Sequence, residues 1–215
     1  MGVALGLVLA SMSGVGAEEV ATWKRGDAVS LFDGESLKGW KLVDYAGHGP
    51  VITGDGVLEL GMGSTLTGLV WQGDVPARFD YEIELEAKRV QGNDFFCGLT
   101  FPYRENHASL IIGGWGGSLT GFSSIDGLDA SENESQDYMR FETDRWYRIR
   151  LRALENRLQA WVDDRQIFDV ETKDREVDVR IDIAEFTPIG ISTFQTTAQL
   201  RNLNWYPLES STDSE

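Results

Sequence analysis

Apolar and polar side chains alternate with a period of two along most of the chain, and no stretch sustains a helical period. Phe79 to Val90, FDYEIELEAKRV, is the clearest case. Phe79, Tyr81, Ile83 and Leu85 fall on one face, and Asp80, Glu82, Glu84, Glu86 and Lys88 fall on the other, as in a strand half-buried against a core. Trp146 to Leu154, WYRIRLRAL, repeats the pattern, setting Tyr147, Ile149 and Leu151 against Arg148, Arg150 and Arg152. Phe95 to Phe101 is apolar almost throughout and predicts a central strand covered on both faces. Asp55-Gly56 inside Val51 to Leu60 predicts a tight hairpin, and Asp163-Asp164-Arg165 predicts another between Arg157–Val162 and Gln166–Val170. Leu66–Trp71, Ala108–Ile112, Leu119–Ile125, Ile189–Phe194 and Ala198–Trp205 complete the strands, with loops at Pro102–His107 and over 126–141. About a dozen short strands, spaced roughly 8–12 residues apart, predict an all-β sandwich of two antiparallel sheets, a jelly roll. In such folds the leading and trailing strands often lie side by side.

Composition narrows the class of partner. The 215 residues include 35 acids and 19 bases, a net charge of −16. That charge repels nucleic-acid phosphates and anionic membrane surfaces alike. It suits neutral partners such as sugars. At 41% hydrophobic the chain can bury a full core, and one domain is expected over residues 28–208, after a polar lead-in at 18–27 and before a disordered tail at 209–215. Met1 to Ala17 is a short apolar stretch ending in small residues, and it reads as a cleaved export signal. No other stretch is a candidate for membrane insertion, so a secreted or periplasmic location follows. Cys97, the only cysteine, lies in the apolar run FFCGL and reads as a small buried hydrophobe.

Three groups of residues carry candidate chemistry. Glu82, Glu84 and Glu86 share one strand face about 6.5–7 Å apart. Carboxylates packed together raise one another's pKa, which is how a general acid is made; alternatively the strand pairs with Arg148, Arg150 and Arg152 on a neighbour. His107 is the stronger of two histidine candidates for a general base, the other being His48 in AGHGP. It is either that base or a loop histidine bonded to backbone. Trp115 sits between Gly113-Gly114 and Gly116-Gly117. Four glycines leave its ring little to pack against, and an exposed Trp is a platform for the apolar face of a pyranose. Asp126, Asp129, Glu132, Asn133 and Glu134 follow in an acidic loop. They are hydroxyl-binding candidates or a soluble surface loop. No cofactor is expected; Ca²⁺ is the one cation such oxygens would suit, although the spacing is not that of an EF-hand.

The opening LFDGESLKGW, then VITGDGVLEL, the strand FDYEIELEAKR followed by Gly92-Asn93, and the late WYRIRLRALENRLQAWVDDRQIFD together resemble the 3-keto-disaccharide hydrolase domain family over about residues 28–206. The resemblance implies a concanavalin A-like jelly roll, export from carbohydrate-degrading bacteria, and chemistry on a concave sheet face. It further implies cleavage of glycosidic bonds by removal of a C2 proton acidified by a 3-keto group. That chemistry needs a base (Glu84, Glu86 or His107), a donor to the ketone oxygen (Asn93 or an arginine) and a sugar platform (Trp115), with Glu82 and the acidic loop as further substrate contacts. The chain departs from the family after the turn, where Asn93-Asp94-Phe95-Phe96 replaces the common N-S-G-I. A non-catalytic carbohydrate-binding module of the same fold is the alternative, and a structural surface domain is a third reading.

Overall fold

The computed structural model describes residues 22–211; the expected export signal at 1–17 lies outside them. Among the described residues the strands are β1 Thr22–Arg25, β2 Val29–Ser30, β3 Trp40–Leu42, β4 Val51–Gly54, β5 Val57–Leu60, β6 Leu66–Trp71, β7 Tyr81–Gly92 and β8 Cys97–Tyr103. Then follow β9 Asn106–Gly114, β10 Leu119–Ser123, β11 Asp137–Tyr138, β12 Tyr147–Leu154, β13 Arg157–Val162, β14 Arg165–Glu171, β15 Gly190–Phe194 and β16 Thr196–Ser211. One sheet runs β14-β13-β12-β7-β16-β5-β4, with β1 and β2 also paired to β16; the other runs β11-β10-β9-β8-β15-β6-β3. Among the described residues every pairing between these strands is antiparallel. The architecture is the expected jelly-roll sandwich.

The alternating strands supply the core. Tyr81, Ile83, Leu85 and Ala87 from β7, and Tyr147, Ile149 and Leu151 from β12, meet Leu99, Phe101, Leu110 and Ile112 of the facing sheet, all buried. β8 is buried along its whole length, as its apolar run predicts. The Asp55-Gly56 turn takes φ of 53° and 78°, the left-handed pair that a two-residue hairpin requires.

Four expectations need correction. Phe79 precedes β7 and is exposed, because Asp80 at φ 57° breaks the strand there. Pro102–His107 is no loop, since β8 and β9 pair down to Tyr103 and Asn106 and only a tight turn remains. The lead-in supplies β1, which pairs with 208–211 at the end of β16. Residues 209–211, expected in a disordered tail, are therefore strand.

The outer face of the seven-stranded sheet is partly roofed. Ile183 and Phe186, from a 3₁₀ turn over Ile181–Phe186, pack with Val43, Leu66 and Val70 into a second apolar cluster. Glycines on the strands make room for this roof. A Cβ at Gly68 would stand 2.6 Å from the Phe186 ring, and one at Gly190 would stand 2.5 Å from its Cβ.

Candidate functional site

Where the roof ends, the same outer face holds a groove of about 480 Å³. Leu66 of β6, Ile111 of β9 and Phe194 of β15 contribute from the strands. Asp94 and Phe95 come from the turn before β8, Trp115 from the β9–β10 turn, Tyr45 and Thr65 from loops, and Arg180, Asp182 and Ile183 from the roofing segment. Phe95 lies nearly parallel to Phe194, with centroids 6.1 Å apart. Gly98 on β8 permits this, since a Cβ there would approach the Phe95 ring to 3.0 Å.

Trp115 stands 43% exposed at φ 47°. Its turn is closed by Gly117 and Ser118 N–H donating to Gly114 O at 3.1 and 3.2 Å. Arg89 fixes the turn from beneath. It is 6% exposed, and its Nη2 donates to the carbonyls of Asp94 (3.1 Å), Gly113 (3.1 Å) and Gly117 (2.9 Å). Burial lowers the pKa of this guanidinium, and the nearby Asp94 charge opposes the shift. Asp94 is held in turn: its Oδ1 accepts from Phe95 N at 2.8 Å and its Oδ2 from Gly116 N at 3.4 Å.

The remaining polar groups of the groove bond within the protein. Tyr45 Oη donates to Asp182 O at 2.5 Å, and Thr65 Oγ1 donates to Ala46 O at 2.9 Å. Arg180 reaches Asp129 Oδ2 at 2.6 Å and Asp182 Oδ1 at 3.1 Å. Asp94 is the lining carboxylate that makes no ion pair among the described residues.

Of the residues expected to bind substrate, Trp115 lines the groove. Asn93 is exposed beside it, its carbonyl 3.0 Å from the position a Cβ on Gly117 would take. Asp129 acts on the groove only through Arg180. Asp126 and Glu134 share Arg175 at 2.5 Å each, and its guanidinium lowers both their pKa values. Asn133 is buried and holds the acidic loop together, donating to Phe122 O and Asp129 O at 2.8 Å each. Glu132 is exposed and reaches no part of the groove. Among the described residues no three His, Cys, Asp or Glu are grouped so as to hold a metal ion.

The candidate catalytic residues do not converge. Glu82, Glu84 and Glu86 point away from the core on the nine-stranded sheet, whereas the groove is on the outer face of the other sheet, so the sandwich lies between them. Glu82 is fully buried beneath Arg25 and Arg152, Glu84 pairs with Arg25, and Glu86 pairs with Arg201. β12 does pair with β7, as the alternative reading of the charges has it, with Arg148 opposite Glu86 and Arg150 opposite Glu84. Only Arg152 takes its cross-strand partner, because Arg25 and Arg201 reach the other two first. His107 shares the groove's sheet face, but eight residues at about 3.3 Å each put it roughly 26 Å along β9 from Trp115. Burial, helped by Arg78 and opposed by Asp178, lowers its pKa, and its Nε2 is buried without a partner among the described residues.

Asp94, Phe95, Phe194, Tyr45 and Arg180 were not picked out from the sequence. Arg89 left a usable signal there, because its position matches the parity of Tyr81, Ile83, Leu85 and Ala87 and so predicts a buried cation.

Solved structures share this fold at low identity. A protein of unknown function with galectin-like fold from Bacillus subtilis superposes with a TM-score of 0.61 at 12% identity, covering 87% of this chain and 99% of that one. Carbohydrate-binding module CBM66 from Bacillus subtilis gives 0.52 at 15% identity, covering 80% and 96%. The Crh5 transglycosylase in complex with NAG gives 0.54 at 9% identity, covering 85% and 84%. No curated protein matches the sequence. Residues 27–205 match the model of the 3-keto-alpha-glucoside-1,2-lyase-like domain, most of the 215-residue chain, and the chain belongs to that family.

Proposed function

We propose that the protein is an exported, carbohydrate-active enzyme that takes a 3-keto-glycoside at the Trp115 groove and cleaves it by elimination. The observation that carries this reading is the juxtaposition of an exposed indole with an unpaired carboxylate, Asp94, and a guanidinium, Arg180, around one cavity of about 480 Å³, a size suited to a small ligand. Family membership supports the reaction class, and the apolar stretch at 1–17 supports export. A 3-keto group acidifies the C2 proton. Asp94 accepts that proton, the C2–H electrons form a C1=C2 double bond, and the C1–O bond breaks with its electrons going to the leaving oxygen, which takes the proton from the protonated Asp94. Arg180 donates to the ketone oxygen, as negative charge develops there, through an Nη hydrogen that its bonds to Asp129 and Asp182 leave unused. The pyranose lies against Trp115.

A binding-only module is the second reading. It is favoured by the commitment of Arg180, Asp182 and Tyr45 to bonds within the protein. Incubation with a 3-keto-disaccharide and with its parent, following sugar release, separates the two. Release from the keto form alone, lost in Asp94→Asn with binding retained, supports the enzyme; tight binding without release supports the module. Release abolished by Glu84→Gln or His107→Ala but untouched by Asp94→Asn and Trp115→Ala would move the site elsewhere.

A further inference from the structure

We infer that the apolar wall of this groove receives an apolar, ring-bearing aglycone, so that the natural ligand is an amphiphilic glycoside and not an oligosaccharide. The inference rests on the proposed glycoside site and names its substrate class. Two properties of the groove carry it. The first is the surface the groove offers. Phe95 and Phe194 lie nearly parallel, 22° apart, and Leu66, Ile111 and Ile183 extend the same wall. An aromatic ring can stack on such a surface, whereas a second sugar would present hydroxyls to carbon.

The second property is the shortage of free donors. Tyr45 Oη, Thr65 Oγ1 and the Arg180 Nη1 and Nε groups each already donate to an acceptor of the protein. Hydroxyls set against this wall would lose water and find few partners there. Asp94 is the lining carboxylate without an ion pair among the described residues, and its neighbour across the turn, Gly116, is next to Trp115. The sugar is therefore placed against Trp115 and Asp94, and the aglycone against the apolar wall. Ile181, between the lining residues Arg180 and Asp182, is 95% exposed and adds apolar surface beside the opening.

The test is isothermal titration of the full chain carrying Asp94→Asn, so that no ligand is cleaved, with three ligands that share one 3-keto-glucosyl group: the methyl glycoside, the phenyl glycoside and a disaccharide. The phenyl glycoside is expected to bind at least tenfold tighter than the methyl one, equivalent to about 1.4 kcal/mol, and tighter than the disaccharide. Phe194→Ala is expected to shrink the phenyl-to-methyl ratio below threefold, while Phe194→Leu, a control that keeps apolar volume, retains most of it. Near-UV circular dichroism shows whether each variant is folded. Trp115→Ala is expected to weaken all three ligands in similar proportion. Equal binding of phenyl and methyl glycosides, or tighter binding of the disaccharide, in each case dependent on Trp115, overturns the aglycone assignment and leaves the glycoside site standing. Failure of every glycoside to bind overturns both.

Discussion

Replacing Glu82 with glutamine separates a structural reading of the acidic strand from a catalytic one. The Glu82 side chain is 0% exposed and lies between Arg25 and Arg152, whose side chains are 30% and 21% exposed. Each guanidinium Nε donates to a different carboxylate oxygen. Glutamine keeps the shape, but it removes the charge that two neighbouring cations share and turns an NH₂ towards one of them. Removing one partner of a fully buried pair costs about 3–5 kcal/mol. Here the arginines are partly exposed and water recovers some of that, so a loss of about 2–3 kcal/mol is expected. For a domain of this size each kcal/mol lowers Tm by about 2–4 °C, giving a drop of about 4–12 °C by thermal circular dichroism. Turnover or glycoside affinity per folded molecule should not change, because the groove is on the other sheet. The double variant Glu82→Met/Arg152→Met should recover much of the stability, since replacing both partners of a buried pair is often neutral. Wild-type Tm in Glu82→Gln together with a tenfold loss of activity would refute the reasoning and return the acidic strand to candidacy as the catalytic element.

Three other perturbations follow from the same geometry. Arg89→Met removes the donor to three carbonyls around the Trp115 turn; bonds from a charged donor are each worth about 1.5–3 kcal/mol, offset by relief of a buried charge, so a net loss of about 2 kcal/mol in urea unfolding and a roughly tenfold loss of glycoside affinity are expected. His107 has its pKa lowered by burial, so the unfolded chain binds more protons below the ordinary 6.5; stability from this group is complete above that pH and falls as acid is added, and His107→Gln should flatten that slope without altering binding at the groove. Asp33 accepts N–H bonds from Glu35 and Ser36 that hold its carboxyl at about 2, so its contribution is present above about pH 4 and is lost as pH falls towards about 2; Asp33→Asn should remove that part of the acid-unfolding curve.

The sandwich was legible because each sheet has one face on the core, which forces alternation onto the sequence. β7 and β12 show it directly, and the Asp55-Gly56 turn announced its hairpin because few residues other than Gly, Asn and Asp readily take positive φ. The LFDG opening is a turn as well: Asp33 caps it, and Gly34 takes φ 81°. The charge ladder was legible in its strands but not in its partners. Arg25 comes from the polar lead-in, and Arg201 comes from beyond a bulge in β16, and neither position follows from the alternation of β7.

The groove was mostly hidden, and the reason is geometric. Its walls come from six separated parts of the chain, and Phe95 and Phe194 look like core residues in a sequence that has ten phenylalanines. What sets Phe95 apart is Gly98 three residues later, which leaves the outer sheet face bare enough for a ring to lie on it. Trp115 was legible for the same reason, since glycines stand where packing neighbours would be. The acidic loop was ambiguous in the sequence, where its carboxylates read equally as hydroxyl-binding groups or as a soluble surface. Two arginines take them up, Arg175 with Asp126 and Glu134 and Arg180 with Asp129. Asp129 therefore influences the groove by positioning Arg180 against its lining. A change such as Asp129→Asn should alter affinity by freeing a donor of Arg180, and the shift should favour ligands that carry an acceptor for it.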